Sequence, residues 1–142
     1  MERNWFSNFV PFDQPMVCSG IRYTTVEHFF QAMKTLDQQQ RQMVASCATP
    51  AEAKHAGRKV TLRADWDTQK EKVMLFALQH KFREGTVQRK KLLATTGELV
   101  EVNYWHDNFW GACSCERCHG KVKHNRLGKM LTAMREELLK EV

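Results

Sequence analysis

Tyr23-Thr24-Thr25-Val26-Glu27-His28-Phe29-Phe30-Gln31-Ala32-Met33-Lys34 is the stretch on which the fold turns. Val26, Phe29, Phe30 and Met33 recur at helical spacing on one face, and Glu27, Gln31 and Lys34 fall on another, which predicts an amphipathic helix. Thr24 and Glu27 read as a T-x-x-E capping box, a start signal that contributes about 1 kcal/mol. Upstream, NWFSNFVPFDQPMVCSGIRYTT (residues 4–25) mixes aromatic and β-branched residues with prolines and a Ser-Gly turn, and predicts short strands around that turn. Downstream, Thr49-Pro50-Ala51-Glu52 opens a short helix that Gly57 closes. A longer helix is expected from near Asp67, carrying Val73, Met74, Ala77, Leu78 and Phe82, with Gly85 to end it. A short helix over Val87 to Ala94 follows, then an alternating strand over Leu99 to Tyr104 and a polar, aromatic loop. From Asn125 onward, Leu127, Met130, Leu131, Met134 and Leu138 form an amphipathic terminal helix. The fold class is therefore α+β and predominantly helical, with a small β element near the N-terminus and one short strand around 99–104.

The 142 residues suit a single domain over 1–142, with a Cys-rich loop at 113–124. A hydrophobic share of 42% and a charged share of 27% exclude disorder and collagen-like structure. The longest apolar run, Val73 to Leu78, falls far short of the roughly 20 residues that span a bilayer, so no membrane partner is expected. MERNWFSNFV has no basic region leading into an apolar one, and the expected location is the cytoplasm. Lys and Arg number 22 against 16 Asp and Glu, a net charge of +6 that favours anionic partners such as phosphates or nucleic acid. The clusters at 58–60, 88–91 and 121–124 are short and dispersed, and read first as solvated faces.

Three constellations could carry chemistry. Glu27, Gln31 and Lys34 direct a carboxylate, an amide and an amine toward one space, although a capping box and a surface ion pair would explain the same residues. Asp107-Asn108-Phe109-Trp110-Gly111 combines a carboxylate, an amide, two rings and a glycine that permits close backbone approach. Such a loop can stack on a base and hold ribose hydroxyls; equally, Asp107 can cap a turn over core aromatics. Trp66 carries the same two readings, stacking platform or core ring at a helix entrance. Third, Cys113, Cys115, Cys118 and His119 supply the four N or S ligands of a tetrahedral zinc site, with His124 just beyond. Against zinc, these ligands crowd one short segment and C-x-C is not knuckle spacing; the alternative is a loop of reduced thiols.

Taken together, Phe6-Ser7-Asn8-Phe9 and the 23–34 stretch closely resemble the opening motifs of the YbiA-like, or NADAR, family. The resemblance continues through Ala48 to Lys54, Leu62-Arg63 with Asp65-Trp66, Ala77-Leu78 with Lys81-Phe82, Asp107 to Gly111, and Asn125 to Gly128 with Arg135. So many motifs in order over nearly the whole chain form a specific signal.

The resemblance implies hydrolysis of an N-glycosidic ribose C1–nitrogen bond in a phosphorylated, nucleotide-like substrate. Two substrate classes come with it: ribosylaminopyrimidine phosphates of riboflavin synthesis, and ADP-ribose linked to guanine in nucleic acid. Carried over residue by residue, it makes Glu27, Lys34 and Asp107 the expected catalytic groups. Asn8, Arg22, Gln31, Arg63, Trp66, Trp110, Asn125 and Arg135 become expected substrate contacts, with Lys81 in reserve for Lys34. Two routes are open, attack by a neutral Lys34 through a Schiff base or direct attack by carboxylate-activated water. A non-catalytic module that binds ADP-ribose or a nucleotide is the alternative function, and a zinc-stapled nucleic-acid adaptor is a third. No organic cofactor is required, and zinc is expected only as a structural ion.

Overall fold

The computed structural model describes residues 6–141, so Asn4 and Trp5 of the predicted strand region lie outside it. The chain forms two compact units, the first ending at Gln88 and the second beginning at Arg89.

The first unit opens with an antiparallel hairpin of β1 (Pro11–Cys18) and β2 (Ile21–Thr25), in which Cys18 faces Ile21 and Met16 faces Tyr23. Ser19 and Gly20 both take positive φ, 51° and 80°, the two-residue turn whose twist matches that of the flanking strands. Ile21, Tyr23 and Thr25 turn inward while Arg22 and Thr24 face out. Helix α1 (Val26–Ala32) leaves β2 without a loop. Its cap is Thr25, whose side chain accepts the His28 N–H at 3.0 Å, and not Thr24. The predicted Thr24–Glu27 capping box is thereby corrected: the cap joins Thr25 to His28, and the Glu27 N–H donates to the Asn8 carbonyl. Every residue of α1 is buried, with β2 and three further helices packed around it. The expected polar face is therefore inside the protein, not on its surface.

Those neighbours are α2 (Gln38–Ala45), α3 (Pro50–Gly57) and α4 (Trp66–Lys81). Sequence analysis did not anticipate α2, because its glutamines hide any periodicity and only Val44 and Ala45 are buried. Asp37 was the available signal: its carboxylate accepts the Gln40 N–H and caps the helix. In α3, Thr49 accepts the Glu52 N–H, and Glu52 reaches back to the Ala48 N–H, at 3.1 and 3.0 Å. Helix α4 begins at Trp66 and ends at Lys81; Gly85, with φ of 85°, sits in the turn beyond. Helix α5 (Val87–Leu93) carries the chain onward.

In the second unit β3 is only Val102–Asn103, paired in parallel with β4 (Ala112–Cys113), a strand that sequence analysis did not predict. The predicted 99–104 strand is cut short because side chains of helix α6 (Arg126–Lys140) and its cap satisfy the backbone instead. The Leu99 N–H donates to Thr132 and the Glu101 N–H to Asn125, both at 2.9 Å. Val100, Val102 and Tyr104, predicted to share a strand face, are all exposed. Leu127 and Leu131 anchor α6, and the Arg126 and Leu127 N–H groups at its start donate to the Phe109 and Trp110 carbonyls. Among the described residues no helix is long and apolar enough to cross a membrane.

Candidate functional site

Helix α1 holds the first constellation. Glu27 is 7% exposed and accepts a 3.0 Å hydrogen bond from Gln31 Nε2, one turn along. A carboxylate so far from water is stable only with polar partners, and the amide supplies one. The Gln31 Oε1 atom has no donor among the described residues. It lies against Gly57 at the end of α3, so closely that a Cβ on Gly57 would occupy the place of the amide oxygen. Gly57 therefore makes the room in which Gln31 turns toward Glu27, beyond its expected role of closing α3.

His28 lies beside this pair. The Cys47 carbonyl can only accept, so Nε2 donates to it across 3.0 Å, and Nδ1 is hydrogen-bonded to the Thr25 hydroxyl at 2.8 Å. It is a structural link from α1 to the end of α2.

Lys34 follows α1 and is half-buried. Burial pushes its ammonium below the usual lysine range; Glu27 opposes that shift, while the cations of Arg58 and Lys54 add to it. The result is an amine held toward its neutral form near a carboxylate. The Arg63 N–H donates to the Lys34 carbonyl at 2.7 Å, tying the 60s segment to this turn. A cavity of about 280 Å³ lined by Thr35, Leu36, Asp37, Thr61, Leu62 and Arg63 opens beside the same turn.

The other expected contacts of the first unit divide. Asn8 stays with the site: its backbone carbonyl holds the Glu27 N–H, and its buried Oδ1 lacks a donor among the described residues. Arg63 forms a two-point pair with Asp65, Nε–Oδ1 at 2.6 Å and Nη2–Oδ2 at 3.1 Å, so its guanidinium is already engaged. Trp66 is 8% exposed and meets Phe30 edge-on at 5.0 Å; it is a core ring and not an open stacking platform. Arg22 sits on the exposed face of the hairpin. Lys81, the reserve for Lys34, is 1% exposed and donates to the Phe6 and Ser7 carbonyls at 3.2 and 2.9 Å, which explains it as an anchor for the N-terminal segment.

In the second unit, Asp107 Oδ1 accepts the Phe109 and Trp110 N–H groups at 3.1 and 2.9 Å, an Asx turn. Its other oxygen accepts no hydrogen bond among the described residues. Trp110 is half-buried, edge-on to Phe109 at 4.8 Å. Asn125 and Arg135, expected as substrate contacts, serve as clamps within the second unit. Asn125, buried and left-handed at φ 47°, accepts the Glu101 N–H and donates to the Leu99 carbonyl. Arg135, 3% exposed, donates to Thr95 Oγ1, the Gly97 carbonyl and Glu136 at 3.0, 2.6 and 2.9 Å. Both hold the 95–101 segment against α6.

The Cys-rich loop gathers four side chains of metal-ligand type, with a different histidine from the one expected. His106, Cys113, Cys115 and Cys118 bring their ligand atoms within 4.8 Å of one another; His119, the expected imidazole, is exposed and outside the group. His106 escaped notice because it lies seven residues before the first of these cysteines, across the parallel β3–β4 pairing that brings the segments together. Burial opposes ionisation of Cys113, but hydrogen bonds from the Cys115 and His106 N–H groups and from neighbouring thiols outweigh it and bring the thiol down to about 6.

The NADAR domain model matches residues 1–139 of this chain. The chain is 38% identical over 135 residues to the N-glycosidase YbiA of Escherichia coli, covering 94% of this chain and 80% of that protein. It is 37% identical over 138 residues to an N-glycosidase of Nostoc punctiforme, covering 94% of this chain and 84% of the other. A riboflavin biosynthesis protein of Vibrio vulnificus is 31% identical over 136 residues, which span 35% of its length. Among solved structures, the NMR structure of E. coli YbiA superposes with a TM-score of 0.78 at 39% identity, covering 96% of this chain and 78% of that one.

Proposed function

Because the chain belongs to the NADAR domain family, we propose that it is an N-glycosidase that hydrolyses the ribose C1–nitrogen bond of a phosphorylated, nucleotide-like substrate, with Glu27 and Lys34 as its catalytic groups. The observation that carries this reading is a buried carboxylate, held by Gln31, beside an amine whose charge is disfavoured. A helix surrounded by its own core gains nothing in stability from such groups, because their desolvation costs more than apolar residues would. A neutral Lys34 can attack C1; the C1–nitrogen bond breaks and the departing nitrogen takes a proton. Ring opening then leaves a C1=Nζ Schiff base, and water adds to it, releasing the ribose and regenerating the amine. Glu27 carries the protons in both steps. The reaction draws on no organic cofactor.

The riboflavin-synthesis name of one relative supports a ribosylaminopyrimidine phosphate as substrate, and the net charge of +6 suits either that phosphate or ADP-ribosylated nucleic acid. Borohydride reduces a Schiff base to a stable amine. Treatment during turnover should leave a ribose-derived mass increment on the peptide carrying Lys34 and none in Lys34→Ala. Undiminished turnover in borohydride with no adduct would favour direct attack by water.

A further inference from the structure

We infer that His106, Cys113, Cys115 and Cys118 form a structural zinc site that closes the ends of the loop bearing Asp107 and Trp110. The three sulfurs lie 3.8, 3.3 and 3.5 Å from one atom, His106 Nδ1. A tetrahedral ion with Zn–S near 2.3 Å and Zn–N near 2.0–2.1 Å sets each sulfur about 3.6 Å from the nitrogen. The observed spacings scatter about that value. Hydrogen bonding does not explain the convergence. A neutral imidazole nitrogen offers one lone pair or one proton, enough for one of three sulfurs, whereas a central cation satisfies all four groups.

The frame around the cluster is built to aim it. Asn103, 2% exposed, accepts the Trp105 and Asp107 N–H groups and donates to the Asp107 carbonyl, fixing the turn on which His106 takes a left-handed φ of 70°. The β3–β4 register sets Cys113 opposite Asn103, and Cys115-x-x-Cys118 closes over a single 3-10 turn. Lys123 donates to the Cys118 carbonyl at 2.7 Å, placing a cation beside what becomes a net negative centre when three thiolates bind a divalent ion. Sulfur-rich tetrahedral donors select zinc over magnesium or calcium. His106 and Cys113 stand at either end of the segment holding Asp107, Phe109 and Trp110, so one ion staples both ends of that loop.

The test is metal analysis of the purified protein, followed by titration of metal-free protein with Co²⁺ as a spectroscopic probe. The expected result is close to one zinc per chain, and cobalt absorption of a tetrahedral, thiolate-ligated site. His119→Ala should keep both. His106→Ala should weaken the metal by more than the roughly 10–100-fold that loss of an outer partner causes. A folded wild-type chain that binds neither metal, a cobalt spectrum without thiolate ligation, or wild-type affinity in a folded His106→Ala would overturn the assignment. Should His106→Ala fail to fold, the wild-type cobalt spectrum decides.

Discussion

Glu27 and Lys34 are a carboxylate and an amine coupled by charge, the carboxylate opposing the burial that lowers the amine's pKa. In the proposed Schiff-base route Lys34 attacks only when neutral, so adduct formation should speed up as pH rises through its lowered pKa. Arg58→Ala removes a neighbouring cation that helps lower that pKa, and should move the rising limb of adduct formation to higher pH. Glu27→Gln removes the attraction that raises it, so residual adduct formation should shift to lower pH. Rates of borohydride-trapped adduct across pH check both directions. Asp107 allows a separate test, because an asparagine oxygen can keep the Asx turn while the charge is lost. Asp107→Asn should retain the wild-type melting temperature and lose at least about tenfold in kcat if the charge assists the chemistry. The same residue scale shows what spacing hides. Glu27, Gln31 and Lys34 were legible as a group, but a T-x-x-E pattern explained Glu27 equally well until Thr25 proved to be the cap. Asn125 and Arg135 have the donors of substrate ligands, and only their partners 24 to 40 residues away reveal them as clamps.

Among the elements, α1 and α3 depend on each other through Gly57. A methyl group there meets the Gln31 amide, so Gly57→Ala must displace Gln31 or push α3 away from α1. Overpacking of this kind typically costs about 1–3 kcal/mol. Thermal denaturation should show that loss, and activity should fall further than stability because Glu27 loses its partner. Unchanged activity would remove Gln31 from the site. The elements themselves were read well where capping and periodicity agree, as at Thr49–Gly57 and in the terminal helix. They were read poorly where one signal stood alone. Helix α2 announces itself only by Asp37, and β3 keeps two of its six predicted residues, because the flanking N–H groups donate to Thr132 of α6 and to its cap Asn125, partners that no local pattern encodes.

For the whole molecule, the α+β, helix-rich fold and the family were both legible, because motifs spread over nearly the entire chain keep their order. The partners made by long-range folding were not: His106 with the cysteines, Gly57 with Gln31, and Lys81 with the N-terminal carbonyls. The proposed cleavage of an N-glycosidic bond by Glu27 and Lys34 can be checked by incubating wild type, Glu27→Gln and Lys34→Ala with a ribosylaminopyrimidine phosphate and with ADP-ribosylated guanine nucleic acid, and following release by mass spectrometry. Release from one substrate by the wild type, reduced at least about 100-fold in each folded variant, is the predicted result. Binding without release, or release that persists in both variants, would contradict it.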